Sequence, residues 1–368
     1  MVLYINGNYP HHSLHGELVT RLADMGNCIT VFVPMKGKEL DGKYSCNHHD
    51  VSVLYDDCLK APDRLFFLRK IHKIVERIEQ QIDLKQVSCI IAGTVYSDGF
   101  AAYLLHQKYN IPFSVAMRET DATYQMKWRP YLNGAVKRLL DQSKNVIFLS
   151  PTYKRYADRF GTNQEKFTVI PNAVNDFWFE NHPDYRAIHD PVSLIYVGEI
   201  SKRKNVCTTI SAVAELKRKK VEAVFHVVGS GDEEDNCRVW ARKLGVEKQV
   251  FFYGWQNGKE KLKEFYDQAD IFVMPSYRET FGTVYVEALS QGLPLIYTKG
   301  QGIDGYFIEG DVGYGCNPKD ACEIASKIVE IRDNFKYISR HCVEQAEMFK
   351  WDVVAKQYND VICQMRVR

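Results

Sequence analysis

The sequence predicts an α/β protein built from two doubly wound parallel-sheet units. Three observations carry that prediction. Short apolar runs alternate with amphipathic stretches over most of the chain, the pattern of parallel strands joined by helical crossovers. The alternation lapses near residues 172–190, where Pro171, Asn172, Asp176, Asn181 and Pro183 read as a linker, and then resumes. A length of 368 residues is too great for one ordinary core and suits two.

In the first unit, Leu3-Tyr4-Ile5 reads as a strand that runs into Asn6-Gly7-Asn8. Leu14, Leu18, Leu22 and Met25 recur at helical spacing until Gly26 closes the helix, and Ile29 to Val33 is the next strand. Ile90-Ile91-Ala92 leads into a helix near Gly99 to Tyr109; Pro112 to Met117 and Val146 to Leu149 are strands again. Ser150-Pro151 reads as a helix cap with proline at the first position. In the second unit, strands Leu194–Val197, Ala223–Val228, Val250–Tyr253, Ile271–Met274 and Leu295–Tyr297 alternate with helices over 206–219, a stretch stopped by Gly245, 260–268 and 283–291. Four of these strands end at Gly198, Gly229, Gly254 and Ser276, and ligands of open parallel sheets bind beyond such carboxyl ends.

Composition narrows the function. The chain is 45% hydrophobic and 26% charged, which excludes disorder as the default, and a net charge of +2 gives no global field for nucleic acid. Ten scattered cysteines include no C-x-x-C pair, so they read as reduced thiols of a cytoplasmic protein rather than as a zinc ribbon or redox motif. No run of 18 apolar residues exists, and the first five residues read as a strand rather than a secretory leader.

The segment Pro275 to Leu289 carries the most chemistry. A strand ends before it and a helix begins near Thr283, so free backbone N–H groups and the helix dipole make an anion site there. Gly282 has no side chain to hold a phosphate away. Glu279 precedes the helix, and Glu287 lies one turn beyond Thr283 on the same face, so two carboxylates flank the anion site and can accept sugar hydroxyls. Lys202-Arg203-Lys204, after the strand ending at Gly198, can neutralise a diphosphate leaving group.

Residues 169–320 resemble the family 4 retaining glycosyltransferases of the GT-B fold. The matching pieces stand in the family's order: Val169-Ile170-Pro171-Asn172-Ala173-Val174-Asn175, the basic loop Gly198 to Lys204, Val227-Val228-Gly229-Ser230-Gly231, Val250 to Gly254, the E-x7-E pair Glu279 and Glu287, and Gly292-Leu293-Pro294. Lys350-Trp351-Asp352 resembles the tryptophan before a last helix that crosses back to the N-terminal domain. The resemblance implies two Rossmann-like domains facing each other across a cleft: 1–172 with helix 350–368 for the acceptor, 173–349 for the donor. It implies a nucleoside-diphosphate sugar as donor, a UDP-sugar favoured, with no metal or other cofactor and retention of anomeric configuration. The acceptor would be a hydroxyl of a glycan or lipid-linked molecule, in cell-surface polysaccharide synthesis. Glu279 would touch the donor sugar, Glu287 the ribose, and Phe281, Gly282, Thr283 and Val284 the phosphates. Arg203 and Lys204 would hold the diphosphate, and Tyr253, Gly254 and Trp255 would lie beside the base, with Gly198 and Gly229 in the same site.

The sequence departs from the family in three places. Glu199 replaces an arginine of the basic loop, Asn6 to His12 replace a glycine pair, and Arg118-Glu119-Thr120-Asp121 lacks a histidine. Asn8, His11, His12, Arg118 and Asp121 are the acceptor-side candidates. The residues alone leave open an epimerase or phosphorylase of the same fold, or a non-catalytic nucleotide-sugar binder. His48-His49 lack partners that would make a metal site. Two basic segments read either as core helices with a solvated face or as contacts with the inner face of the cytoplasmic membrane. Asp63 to Ile78 sets Leu65, Phe66, Leu68 and Ile71 against Arg64, Arg69, Lys70, Lys73 and Arg77; Lys127 to Leu140 holds Trp128, Arg129 and Tyr131.

Overall fold

A computed structural model describes residues 1–183 and 186–367. The chain divides into two compact units. One comprises Met1–Leu149, Tyr153–Asn172 and Trp351–Arg368; the other comprises Ser150–Thr152 and Ala173–Lys350.

The first unit holds seven strands, β1 (Val2–Ile5), β2 (Ile29–Pro34), β3 (Val51–Asp56), β4 (Cys89–Ala92), β5 (Phe113–Met117), β6 (Val146–Phe148) and β7 (Phe167–Val169), all parallel in the order β3-β2-β1-β4-β5-β6-β7. The second holds β8 (Val192–Val197), β9 (Ala223–Val228), β10 (Val250–Phe252), β11 (Ile271–Val273), β12 (Leu295–Thr298) and β13 (Gly313–Cys316), parallel in the order β10-β9-β8-β11-β12-β13. Strand order reverses between β1 and β4 in one sheet and between β8 and β11 in the other. At such reversals open parallel sheets bind their ligands, beyond the carboxyl ends of the strands.

Three strands escaped the sequence reading. β3 is half-buried at an edge, β7 is three half-buried residues, and β13 is Gly-Tyr-Gly-Cys, whose glycines depress strand propensity. The central strands were legible because both faces are covered: β1, β2, β4, β5 and β8 are buried at every position.

The expected linker is instead packed. A short helix, Phe177–Glu180, buries Trp178 and Phe179 in the second core. Gln291 donates to the Trp178 carbonyl at 2.8 Å. The Arg186 guanidinium donates to the carbonyls of Gln291, Tyr266, Asp267 and Ala269. At the other end of the chain, the Trp351–Arg366 helix packs on the first unit, where Asn27 Nδ2 donates to Asn359 Oδ1 at 2.8 Å.

The first basic segment folds as the helix Phe67–Gln81, with Phe67, Ile71, Ile74 and Ile78 buried. Three of its cations are engaged by neighbouring side chains. Lys70 donates to Ser97 Oγ at 2.6 Å, Lys73 pairs with Asp63 at 3.3 Å and Arg77 with Asp56 at 2.9 Å. Arg69 stays exposed, and the side chain of Arg64 lies outside the described residues. The apolar residues Leu65, Phe66 and Leu68 are turned to solvent as well. Among the described residues no helix is long and apolar enough to cross a membrane.

Candidate functional site

At the crevice of the second sheet, the loops after β8 and β11 are stitched together. Asn205, in a left-handed conformation at φ 60°, donates through Nδ2 to the Pro275 carbonyl at 2.8 Å, and Tyr277 N–H donates to the Arg203 carbonyl at 2.9 Å. This brings Lys204 Nζ to 2.5 Å from Glu279 Oε2 and places Arg203 4.0 Å from the same oxygen. The Lys204 and Glu279 side chains are 12% and 8% exposed, so their pairing is shielded far more than a surface pair would be. Gln301 clamps the loop by accepting from Glu279 N–H at 2.8 Å and donating to the Tyr277 carbonyl at 3.0 Å. Lys202, the third cation of the run, is exposed.

The helix Thr283–Ser290 starts beside this pair, capped by Gly282 at φ 81°. A Cβ on Gly282 would stand 2.6 Å from the Tyr285 ring, which is fixed beneath it by a 2.6 Å hydrogen bond to the Met274 carbonyl. Glycine is therefore required twice, by conformation and by space. Phe281 turns into the core against Tyr306 and Phe349, leaving only its backbone for a ligand. Thr283 and Val284 are half-buried at the first turn, where helix geometry leaves N–H groups without intrahelical acceptors.

Glu287 lies on the half-buried face of the same helix. Burial pushes its carboxyl up to about 7, with opposing effects from the Tyr266 hydroxyl at 3.4 Å and from Lys259. A folded state that keeps a proton the unfolded chain has lost becomes less stable as pH rises through that interval. The contribution of Glu287 to stability is thus expected to shrink between about pH 4.5 and 7 and level off above, so the melting temperature of Glu287→Gln relative to wild type should rise over that interval in paired pH-dependent melts.

Beyond β9 and β10, Gly229 N–H donates to the Gly254 carbonyl at 2.8 Å, and Gly198 N–H to the Val228 carbonyl at 2.9 Å. Gly198, Gly229 and Gly254 thus form one seam. Tyr253 hydrogen-bonds His226 Nδ1 at 2.8 Å and meets Phe265 edge-on at 4.9 Å. Trp255 is exposed and donates to Asn257 Oδ1 at 2.7 Å.

The first unit has a crevice of about 420 Å³ at its own switch point, lined in part by Asn8, His11, Lys36, Lys70, Asp98 and Asp121. Asp98, missed from sequence, is fully buried; burial pushes its carboxyl up to about 6 even though it accepts from Thr94 Oγ1 at 3.0 Å and Gly7 N–H at 3.3 Å. Asp121 is raised to about 6 in the same way, and its Oδ2 accepts from the N–H groups of Val95 and Arg118, so it serves to fix two loops. Burial lowers the Lys70 ammonium. His12 and Arg118 do not line this crevice. Arg118 Nε donates to the Gly93 carbonyl at 3.0 Å, and burial with nearby cations lowers His12 and takes His15 down to about 3. His48, His49 and Asp50 lie together at the surface, where His48 pairs with Asp24 and His49 with Asp50.

Residues 179–347 match the family model described as glycosyl transferases group 1, and residues 16–176 match the model described as glycosyltransferase family 4. The chain belongs to the family 4 glycosyltransferases. Its relatives include the glycogen synthase of Mycobacterium tuberculosis, 27% identical over 267 residues, covering 69% of this chain and 63% of that protein. The chain thus spans about three fifths of the length of that relative. Among solved structures, sucrose-phosphate synthase of Thermosynechococcus elongatus aligns at a TM-score of 0.75 with 20% identity over 99% of this chain and 98% of its own. HepE of Anabaena in complex with UDP and glucose aligns at 0.66 with 17% identity, covering 98% and 99%. These likenesses establish the GT-B fold.

In this family 4 chain, the structure brings Arg203 and Lys204 beside Glu279, with Gly282 at the cap of the helix that carries Thr283, Val284 and Glu287, and Glu287 faces Tyr266. Tyr253, Gly254 and Trp255 follow the edge strand β10, which β9 separates from β8. Gln301, Tyr266 and His226 join them without having carried any motif in the sequence. Their roles come from strands and helices that only the sheet order makes neighbours.

Proposed function

We propose that this chain transfers a sugar from a nucleoside-diphosphate sugar, a UDP-sugar in particular, to a hydroxyl of a glycan or lipid-linked acceptor, with retention and without a metal, in cell-surface polysaccharide synthesis. The observation that carries the reading is the Lys204–Glu279 pair, with Arg203 beside it, at the mouth of the Thr283–Ser290 helix. The two cations and the first-turn N–H groups suit a diphosphate whose charge grows as the sugar leaves, and they take the place a metal would fill. Glu279 would accept a hydroxyl of the donor sugar. Glu287, ionised above about pH 7, would accept ribose hydroxyls. Tyr253 and Trp255 offer aromatic surface to the base. The solved HepE complex with UDP and glucose supports this choice of donor. The first unit would take the acceptor in its crevice, with Asp98 and His11 as hydroxyl partners.

A thermal-shift panel of UDP, GDP, ADP and CMP tests the donor assignment. A ligand at 100 times its dissociation constant adds about 2.7 kcal/mol of stability, and UDP is expected to give the largest shift. No shift with any of the four removes the reading. Release of free nucleoside diphosphate only in the presence of acceptor separates transfer from epimerisation.

The chain would reach a lipid-linked acceptor through the exposed apolar tip of the first unit, and so lie peripherally on the inner face of the cytoplasmic membrane. Leu65, Phe66 and Leu68 stand 80%, 58% and 60% exposed, Trp128 and Tyr131 66% and 71%, and Arg129 over the Phe67 ring at 5.2 Å ties the two segments together. Vesicles containing anionic lipid should co-sediment the protein, and Phe66→Ser with Trp128→Ser should reduce the bound fraction severalfold. Wild-type protein left wholly in the supernatant would rule out this contact.

A further inference from the structure

The sequence offers no C-x-x-C pair, yet folding brings two thiols together from positions 30 residues apart. Cys207 Sγ and Cys237 Sγ lie 3.2 Å apart, one on the helix Val206–Arg218 and one on the helix Glu234–Lys243. The helices are pinned in register one turn further on, where Trp240 Nε1 donates to Ser211 Oγ at 2.8 Å. A disulfide is about 2.05 Å long, so the sulfurs need to approach by only about 1 Å in total. Cys207 is partly accessible and Cys237 is buried. The two sulfurs share a hydrogen bond, which lowers the Cys207 thiol and raises that of Cys237. The reachable sulfur is therefore the better nucleophile, and the second waits behind it.

We propose that Cys207 and Cys237 are a reversible modification site, which a hydroperoxide closes to an intrachain disulfide. The Cys207 thiolate attacks the peroxide O–O bond, becoming a sulfenic acid as hydroxide leaves and takes up the thiol proton as water. The Cys237 sulfur then attacks the sulfenic sulfur, the S–O bond breaks, and its oxygen departs with the second thiol proton as water. Two thiols and one hydrogen peroxide give one disulfide and two waters; the sulfurs lose two electrons and the peroxide gains them.

The bond would staple the base of the loop that carries Arg203 and Lys204. Cys207 stands three residues beyond Lys204. Four residues before Cys237, Glu233 N–H donates to the Ile200 carbonyl of the same loop at 3.1 Å. The crosslink restrains the unfolded chain and holds two elements that already touch. This inference rests on the thiols alone and stands or falls apart from the sugar-transfer reading.

The test treats the full chain with a few equivalents of hydrogen peroxide, caps free thiols with an alkylating reagent and maps the peptides by mass. The expected product is a Cys207–Cys237 linked peptide lighter by two hydrogens, with two of the ten thiols protected, and a melting temperature raised by several degrees and restored by dithiothreitol. Cys207→Ser should show neither the linked peptide nor the rise. Should that variant fail to fold, the wild-type peptide map decides by itself. Recovery of Cys207 as free thiol or sulfinic acid while the exposed Cys28, Cys322 and Cys363 oxidise overturns the proposal. So does a linked peptide that leaves the melting temperature unmoved.

Discussion

Glu279→Gln is expected to lower turnover by about 10²–10³-fold while leaving UDP affinity within a few-fold of wild type. The split follows from the pair itself. Lys204 Nζ is held 2.5 Å from Glu279 Oε2, so under the proposed donor geometry a diphosphate would share that ammonium with the carboxylate. Glutamine keeps the volume and one acceptor oxygen but removes the charge, which releases Lys204 toward the diphosphate and preserves its hold on UDP. The lost charge is felt at the sugar, where the carboxylate would steady a hydroxyl and the positive charge that develops at the anomeric carbon. Lys204→Met should behave differently and lose both affinity and turnover, because it strips the closest cation from a carboxylate that is 8% exposed and leaves Arg203 4.0 Å away. Calorimetry with UDP beside steady-state kinetics separates the two. If Glu279→Gln weakens UDP and turnover by the same factor, Glu279 only positions the lysine.

That juxtaposition also shows where sequence reading stops. The central strands were legible because Val-Ile-Leu runs buried on both faces look like little else, whereas β3, β7 and β13 sit at sheet edges or carry glycine and lack that signal. Lys204 and Glu279 lie 75 residues apart. Nothing local says that β8 and β11 are sheet neighbours, and it was family resemblance, not spacing, that paired the two residues. Gln301 and Tyr266 could not be read at all, since a glutamine in a loop and a tyrosine on a helix are ordinary until the sheet order brings them to Glu279 and Glu287. In the first unit Asp121, legible in the sequence, lines the crevice with its Oδ2 held by two backbone N–H groups, and Asp98, which carries no motif, lines it beside Asp121. The linker misreading has the same origin: proline and asparagine mark turns, but Trp178 and Phe179 between them supply enough apolar surface to bury.

Gly229→Ala is expected to destabilise the second unit by about 4 kcal/mol or more, a large share of the 5–15 kcal/mol that holds a domain together. A Cβ at this position would stand 1.8 Å from the Gly198 carbonyl oxygen, and the backbone sits at φ 139°. The obstacle is main chain and cannot rotate away. The end of β9 would have to retreat from the loop after β8, stretching the Gly198 N–H to Val228 carbonyl bond of 2.9 Å and the Gly229 N–H to Gly254 carbonyl bond of 2.8 Å. Gly254 supplies the internal control. It belongs to the same seam and has φ 68°, yet nothing lies within 4 Å of where its Cβ would be, so Gly254→Ala should cost only about 1 kcal/mol. Thermal melts of the two variants should therefore differ by roughly 10 °C, at 2–4 °C per kcal/mol. Equal melting points would mean that the glycine at 229 serves a ligand's approach rather than the packing of one loop on another.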